Sequence, residues 1–195
     1  MTAWSVPAQA HLSARLPIAP RWLIWVQAKT FAGAAIDVGY WTGDDHQTFT
    51  VDGATRLYYG AQGAIEIPAM RYVTGTAVAS MDLTLSLSPE GEAAVRGYNI
   101  RHAPIDIHCA LFDADSMALL DTRRFFRGFI DGSPIPTPAL GGRSSLPLKL
   151  VSSARKGTMT RGGKKSDVAQ RQRSGDLFRQ YDVRYVVAAD PWGGA

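Results

Sequence analysis

At 195 residues and 21.1 kDa the chain can bury one good core, or one compact domain with an appendage, whereas two independent domains would each be small. With 46% hydrophobic, 10% aromatic and 19% charged residues it has a globular make-up and not that of a disordered chain. The net charge of +4 is uneven: nine basic residues face three acidic ones between Ser153 and Arg184, leaving the rest of the chain slightly acidic. That asymmetry marks the C-terminal region as the expected contact for nucleic acid, membrane headgroups or an acidic protein neighbour.

No apolar run approaches the roughly 20 residues that cross a bilayer. The longest candidate, Trp22 to Val26, is strand-sized and lies between Arg21 and Lys29. Met1 to Leu16 lacks the basic start, apolar centre and small-residue cleavage site of a secretory signal. The single Cys109 rules out an intrachain disulfide and suits a reducing compartment, so cytoplasmic synthesis without a membrane partner is expected. Nineteen glycines and eleven prolines punctuate the chain at a spacing that suits many short strands better than long helices.

Taken in order, Arg21 to Lys29 is expected to be a strand covered on both faces, with Trp22, Ile24 and Val26 on one side and Leu23 and Trp25 on the other. Short antiparallel strands follow at Ile36 to Trp41, Gln47 to Val51 and Arg56 to Tyr59. Gly43-Asp44-Asp45 and Asp52-Gly53 supply turns that tolerate positive φ. Ala77 to Ser88 alternates with period two, which places Met81, Leu83 and Leu85 inward and Asp82 and Thr84 outward. Ser88-Pro89-Glu90 predicts the start of a short helix ending at Gly97. Ile105, Ile107, Cys109 and Leu111 are expected on the one apolar face of the next strand, with Asp106 and His108 on its wet face. Arg123 to Ile130 is the return strand, where strict alternation puts Phe125 and Phe129 on one side with Arg123 and Arg127, and Phe126 and Ile130 on the other, with Phe112 and Phe126 expected to pair across it. Ser133 to Gly142, with three prolines and two glycines, predicts a projecting loop. Leu146, Leu148 and Leu150 alternate once more before a flexible basic loop over 153–165, a short helix over 167–173 and a last strand over 180–187.

Catalytic and metal-binding patterns are weak. His102 and His108 are isolated from any third ligand, and Cys109 falls mid-strand on the apolar side, where a thiol is inert. Gly157 to Lys164 has the glycine spacing of a phosphate-binding loop, but Gly163 stands where its lysine belongs. Asp44 and Asp45 are adjacent in a turn and face different ways, which suits solvation better than acid–base work. No enzyme activity and no cofactor are expected. The basic segment keeps one functional alternative open: a small β-barrel module for single-stranded nucleic acid, its cations on phosphates and Phe178, Tyr181 and Tyr185 stacked on bases.

Arg56-Leu57-Tyr58-Tyr59-Gly60, Glu66-Ile67-Pro68, the alternating strand ending at Leu87, Val95-Arg96-Gly97, Ala103-Pro104-Ile105 and Arg124-Phe125-Phe126-Arg127-Gly128 together resemble the hub-type tail-tip proteins of long-tailed, siphovirus-like bacteriophages. So do Lys165-Ser166-Asp167 to Gln172, Ser174-Gly175-Asp176-Leu177-Phe178 and Trp192-Gly193. The resemblance implies a tail-tube-like split β-barrel or sandwich with one or two short helices and a basic C-terminal extension. In it, residues 1–20 are an N-terminal arm, 21–152 the β body, and 153–195 a basic loop, short helix and final strand. It also implies assembly without turnover, in a trimeric or alternatively hexameric ring at the tail tip that touches other tail-tip and tail-tube proteins and meets nucleic acid only during its passage. Some larger relatives carry a cysteine-ligated iron–sulfur site, which one Cys109 cannot supply. The expected assembly contacts are Pro134, Pro136 and Pro138 in the projecting loop and Arg155, Lys156, Arg161, Lys164 and Lys165 in the basic segment.

Overall fold

The computed structural model describes residues 4–61, 64–69, 78–86, 96–134, 145–158 and 166–180. Two compact units divide the chain, Met1–Lys156 and Gly157–Ala195. The first contains helix α1 (Val6–Ser13) and strands β1 (Ile18–Lys29), β2 (Ala35–Trp41), β3 (Gln47–Val51), β4 (Ala54–Gly60), β5 (Ile65–Glu66), β6 (Ser80–Ser86), β7 (Pro104–Asp113), β8 (Leu119–Gly132) and β9 (Ser145–Ser152). One turn of helix, α2 (Arg155–Thr158), follows β9, and α3 (Asp167–Arg171) lies in the second unit. The fold is mainly β, as the glycine and proline punctuation predicts.

Among the described residues the strands form a single open sheet in the order β3-β4-β2-β1-β7-β8-β9-β6-β5. Its pairs are antiparallel except β2 with β4, which run parallel over Tyr40↔Tyr59 and Trp41↔Gly60. Packing shows that the sheet is bent. In a flat sheet four strand spacings would separate β1 from β6 by roughly 19 Å. Yet Ile24 and Val26 of β1 share one core with Leu83 of β6 and with Leu146, Leu148 and Leu150 of β9, so the sheet curls until these strands face each other. At the other end the β3–β4 hairpin folds onto the opposite face, where Phe49, Val51 and Tyr58 pack with Leu23, Trp41, Ala110 and Phe112. Trp41 and Phe49 meet edge to face with centroids 5.0 Å apart, which locks the hairpin against β2.

Strand β1 therefore divides two cores, with Ile24, Val26 and Ala28 in one and Leu23, flanked by Trp25, in the other, as its pattern predicts. The period-two reading of β6 also holds: Leu83 is buried opposite Leu148, Met81 and Leu85 pack beside it, and Asp82 is exposed. Leu146, Leu148 and Leu150 are buried along β9, and α3 occupies the predicted short helix. Ser166 caps α3 by accepting a hydrogen bond from the Ala169 amide at 3.3 Å.

Three expectations are corrected. Strand β7 does not have a wet face over its central run, because the folded-back hairpin covers the side carrying His108, Ala110 and Phe112, and all three are buried. Phe112 and Phe126 do not pair: Phe112 stands opposite Leu119 and packs on Trp41 and Phe49, while Phe126 stands opposite Ile107. The turn at Asp113 to Ala118 sets this pairing, because Phe112 lies beside the turn and meets Leu119, whereas Phe126 lies seven residues further along β8. A separate register shift, in which Ile107 opposes Phe126 and His108 opposes Arg124, leaves Phe125 as the extra residue of a β-bulge and takes it off the side expected to carry Arg127. The helix expected over 88–97, except for Arg96 and Gly97, lies outside the described residues, as does the strand expected over 180–187, except for Gln180.

Candidate functional site

The best-organised group of polar side chains in the first unit gathers around Asp52. A two-residue turn joins β3 to β4, with Asp52 at φ 51° and Gly53 at φ 76°, the left-handed geometry that matches the twist of a tight hairpin. Because the hairpin folds over β7, this turn delivers Asp52 to the face that carries Asp106 and His108. The Phe125 bulge brings Arg124 and Arg127 of β8 onto the same face, although their spacing of three residues would place them on opposite sides of a regular strand.

The Asp52 carboxylate oxygen Oδ2 lies 3.1 Å from Arg124 Nη1, 3.7 Å from Arg127 Nη2 and 3.4 Å from His108 Nε2. Arg127 also forks onto Asp106, its Nε donating to Oδ1 at 2.6 Å and its Nη2 to Oδ2 at 2.9 Å. Burial pushes the Asp52 carboxyl up, but His108, Arg124 and Arg127 together outweigh burial and hold it below the ordinary carboxylate range. For His108 burial dominates and keeps the imidazole below its usual value against the pull of Asp52 and Asp106. Its Nδ1 is buried and has no hydrogen-bond partner among the described residues. Next to this group, burial raises the Tyr58 phenol while Arg56 pulls it back, and the Arg56 guanidinium lies 4.9 Å from the Trp25 ring centroid.

Chemically this is a clamp that ties the hairpin to β7 and β8. His108 is only 1% exposed, so it offers no base to a molecule arriving from solvent. Among the described residues no group of three or more His, Cys, Asp or Glu side chains is placed to hold a metal ion. No helix among them is long and apolar enough to cross a membrane. Sequence reading had Asp106 and His108 on one face and Asp52 in a turn, but had no signal joining them. The adjacent phenylalanines Phe125 and Phe126, two apolar residues between exposed arginines, are the trace that the bulge leaves in the sequence.

The expected assembly residues are scattered. Pro134 is exposed just beyond β8, while Pro136 and Pro138 lie outside the described residues. Arg155 is ion-paired with Asp131, and the Lys156 ammonium sits 4.9 Å from the Phe129 ring centroid, so both rest against β8. Arg161, Lys164 and Lys165 lie outside the described residues. Near the N-terminus, the Ser5 amide donates to Asp121 Oδ2 at 2.6 Å and the Arg123 guanidinium stands 5.6 Å from the Trp4 ring centroid. These contacts hold the start of α1 to β8. In the second unit Arg171 pairs with Asp167 at 2.8 Å along α3.

The geometry thus defines a β protein whose best-ordered charges bind its own strands together. No protein-family model matches the sequence, and a search of curated proteins finds no match. Among solved structures the chain is similar to one in the virion of a native gene transfer agent (GTA) particle, with a TM-score of 0.53 at 17% identity. The match covers 84% of this chain and 50% of that one, so this chain spans about half of its structural neighbour. At that identity the likeness establishes a shared fold.

Proposed function

We propose that this chain is a structural, non-enzymatic component of a phage-type tail, forming a hub ring at the distal end of the tail tube and joining it to neighbouring tail proteins. The fold shared with a chain of a gene transfer agent virion supports a place in such a particle. The observation that carries ring formation is the sheet edge at β3. Gln47-Thr48-Phe49-Thr50-Val51 has no charge, proline or bulge, and those are the devices by which monomeric proteins blunt an edge. The two-residue turn makes Val51↔Ala54 a hydrogen-bonded pair, so by alternation Thr48 and Thr50 turn their backbone groups outward, and both are exposed. Among the described residues no strand pairs with that side.

In this reading the body over 21–152 forms the ring wall, the arm over 1–20 lies against it through the contacts of Ser5 and Trp4 with β8, and the basic segment over 153–195 reaches neighbours. Pro134, Pro136, Pro138, Arg155, Lys156, Arg161, Lys164 and Lys165 are the contacts assigned to them. The ring is a trimer, with a hexamer as the close variant. Mass photometry of the chain mixed with its tail-tube and tail-tip partners should find that ring, and a monomer under those conditions sinks the proposal. Thr50→Pro is the sharper test. It removes an outward N–H while sparing the β3–β4 ladder, so it should abolish the ring and leave the circular dichroism spectrum unchanged.

The second reading, binding of single-stranded nucleic acid, draws on the basic excess between Ser153 and Arg184. Against it, Arg155 and Arg171 of that segment each already meet a carboxylate of this chain. Steep salt-dependent binding of single-stranded DNA by the isolated protein would favour it over the hub.

A further inference from the structure

We propose that the contact between His108 and Asp52 is an acid-sensitive latch: it keeps the β3–β4 hairpin closed over β1 and β7 at neutral pH and loosens it as the pH falls through the histidine range. The inference stands on the geometry of the clamp and holds whether or not β3 joins a neighbouring subunit.

His108 is sealed between layers. Its register partner on β1 is Leu23, and from the hairpin side Asp52 of the turn reaches its Nε2. Neutral His108 satisfies one nitrogen by donating from Nε2 to Asp52 and leaves a bare Nδ1 lone pair in the core. Protonation turns Nδ1 into an N–H with no acceptor within reach among the described residues, a buried donor left for water to satisfy. The hairpin must lift for water to arrive.

The surrounding charges divide. Asp52 from the turn and Asp106 from β7 favour the imidazolium, Arg124 from β8 opposes it, and Arg127 and Arg56 add positive charge nearby. Burial outweighs the carboxylates, and the folded imidazole titrates below its usual value. A histidine depressed in the folded state contributes stability that is complete above the unfolded value of about 6.5 and drains away as the pH falls from there to the folded value. Asp52 is also depressed, so its share is lost only at lower pH, through the carboxylate range. Above the carboxylate range the histidine acts without Asp52.

The lifting part is specific. Opening the hairpin uncovers the core of Phe49, Val51 and Tyr58 but leaves the core of Leu83 and Leu148 closed. Amide hydrogen exchange on the full chain, corrected for the intrinsic pH dependence of exchange, should therefore show a local response. From pH 7.5 to 5.5 the opening equilibrium of the Phe49, Val51 and Tyr58 amides should rise severalfold, with a ceiling of about ten-fold because pH 5.5 lies about one unit below the unfolded value, while that of the Leu83 and Leu148 amides stays constant. His108→Gln keeps a donor for Asp52 but carries no proton equilibrium, and should abolish that response. In the wild type, an NMR titration should place His108 below the ordinary histidine value of about 6.5. Unchanged or increased hairpin protection at pH 5.5, a pH response retained in His108→Gln, or a His108 titration at or above about 6.5 would each overturn the latch. If His108→Gln fails to fold, the exchange and titration of the wild type decide it.

Discussion

Arg124 and Arg127 are three residues apart on one strand and still meet the same Asp52 carboxylate oxygen, at 3.1 and 3.7 Å. A regular strand would send them to opposite faces. The extra residue Phe125 restores them to one face and turns its own ring, with that of Phe126, to the other, where Phe125 meets the Trp22 ring edge to face at 5.2 Å. One bulge thus serves both a polar clamp and an apolar contact.

The clamp can be dissected at Asp52. The side chain is 42% exposed, so its arginine pairs are screened and worth about 0–1 kcal/mol. Asp52→Asn, which still tolerates a positive φ and still offers His108 an acceptor, should lose no more than that. Asp52→Ala should lose a further ~1 kcal/mol, because alanine at φ 51° is strained where Asp and Asn are not. Urea unfolding of the two variants checks the difference, and equal losses would assign the whole effect to charge.

Leu83 tests the inside-outside assignment of β6. It is 1% exposed and lines an apolar cavity of about 40 Å³ shared with Ile24, Ile130 and Leu148. Leu83→Ala should cost about 2–5 kcal/mol. Leu83→Asp, which buries an unpaired charge, should prevent folding. Leu57, 46% exposed on β4, is the control: Leu57→Asp should fold. A soluble Leu83→Asp variant with an unchanged melting temperature would show that β6 faces the other way.

Two glycines of β8 should respond in opposite directions. A Cβ on Gly128 would come within 2.0 Å of the Val151 carbonyl oxygen, so Gly128→Ala must push β8 and β9 apart, at a cost of about 1–3 kcal/mol. Gly132 has nothing within 4 Å of its would-be Cβ, and Gly132→Ala should be neutral or gain about 0.4–1 kcal/mol by restricting the unfolded chain. Thermal melts of the pair measure the contrast.

Cys109 should report on global opening. The thiol is buried in β7, and burial raises its pKa, so thiolate and access are both suppressed. At pH 8 an aromatic disulfide reagent should modify the folded protein at least about 1000-fold more slowly than the urea-unfolded chain. Rapid reaction in the folded state would mean that β7 is not covered on both sides.

Strand positions and inward faces were legible in the sequence wherever a strand had a simple environment. The alternation of Leu146, Leu148 and Leu150, the double-sided run from Trp22 to Val26 and the Asp52-Gly53 turn each carry their structure locally, because side-chain period and turn chemistry are properties of a few adjacent residues. Burial of His108 was not legible. It requires a hairpin more than fifty residues earlier in the chain to fold over β7, and a polar residue at an alternating position looks the same whether the far side meets water or another layer. The union of Arg124, Arg127 and Asp52 was hidden for the same kind of reason: a bulge shifts register by one residue through pairing with the neighbouring strand, and period two counted along a single strand cannot contain it. The sequence by itself determined the strands and their apolar faces, whereas the order of the strands, the fold-back of the sheet and the clamp arose only when distant segments competed to cover the same apolar surface.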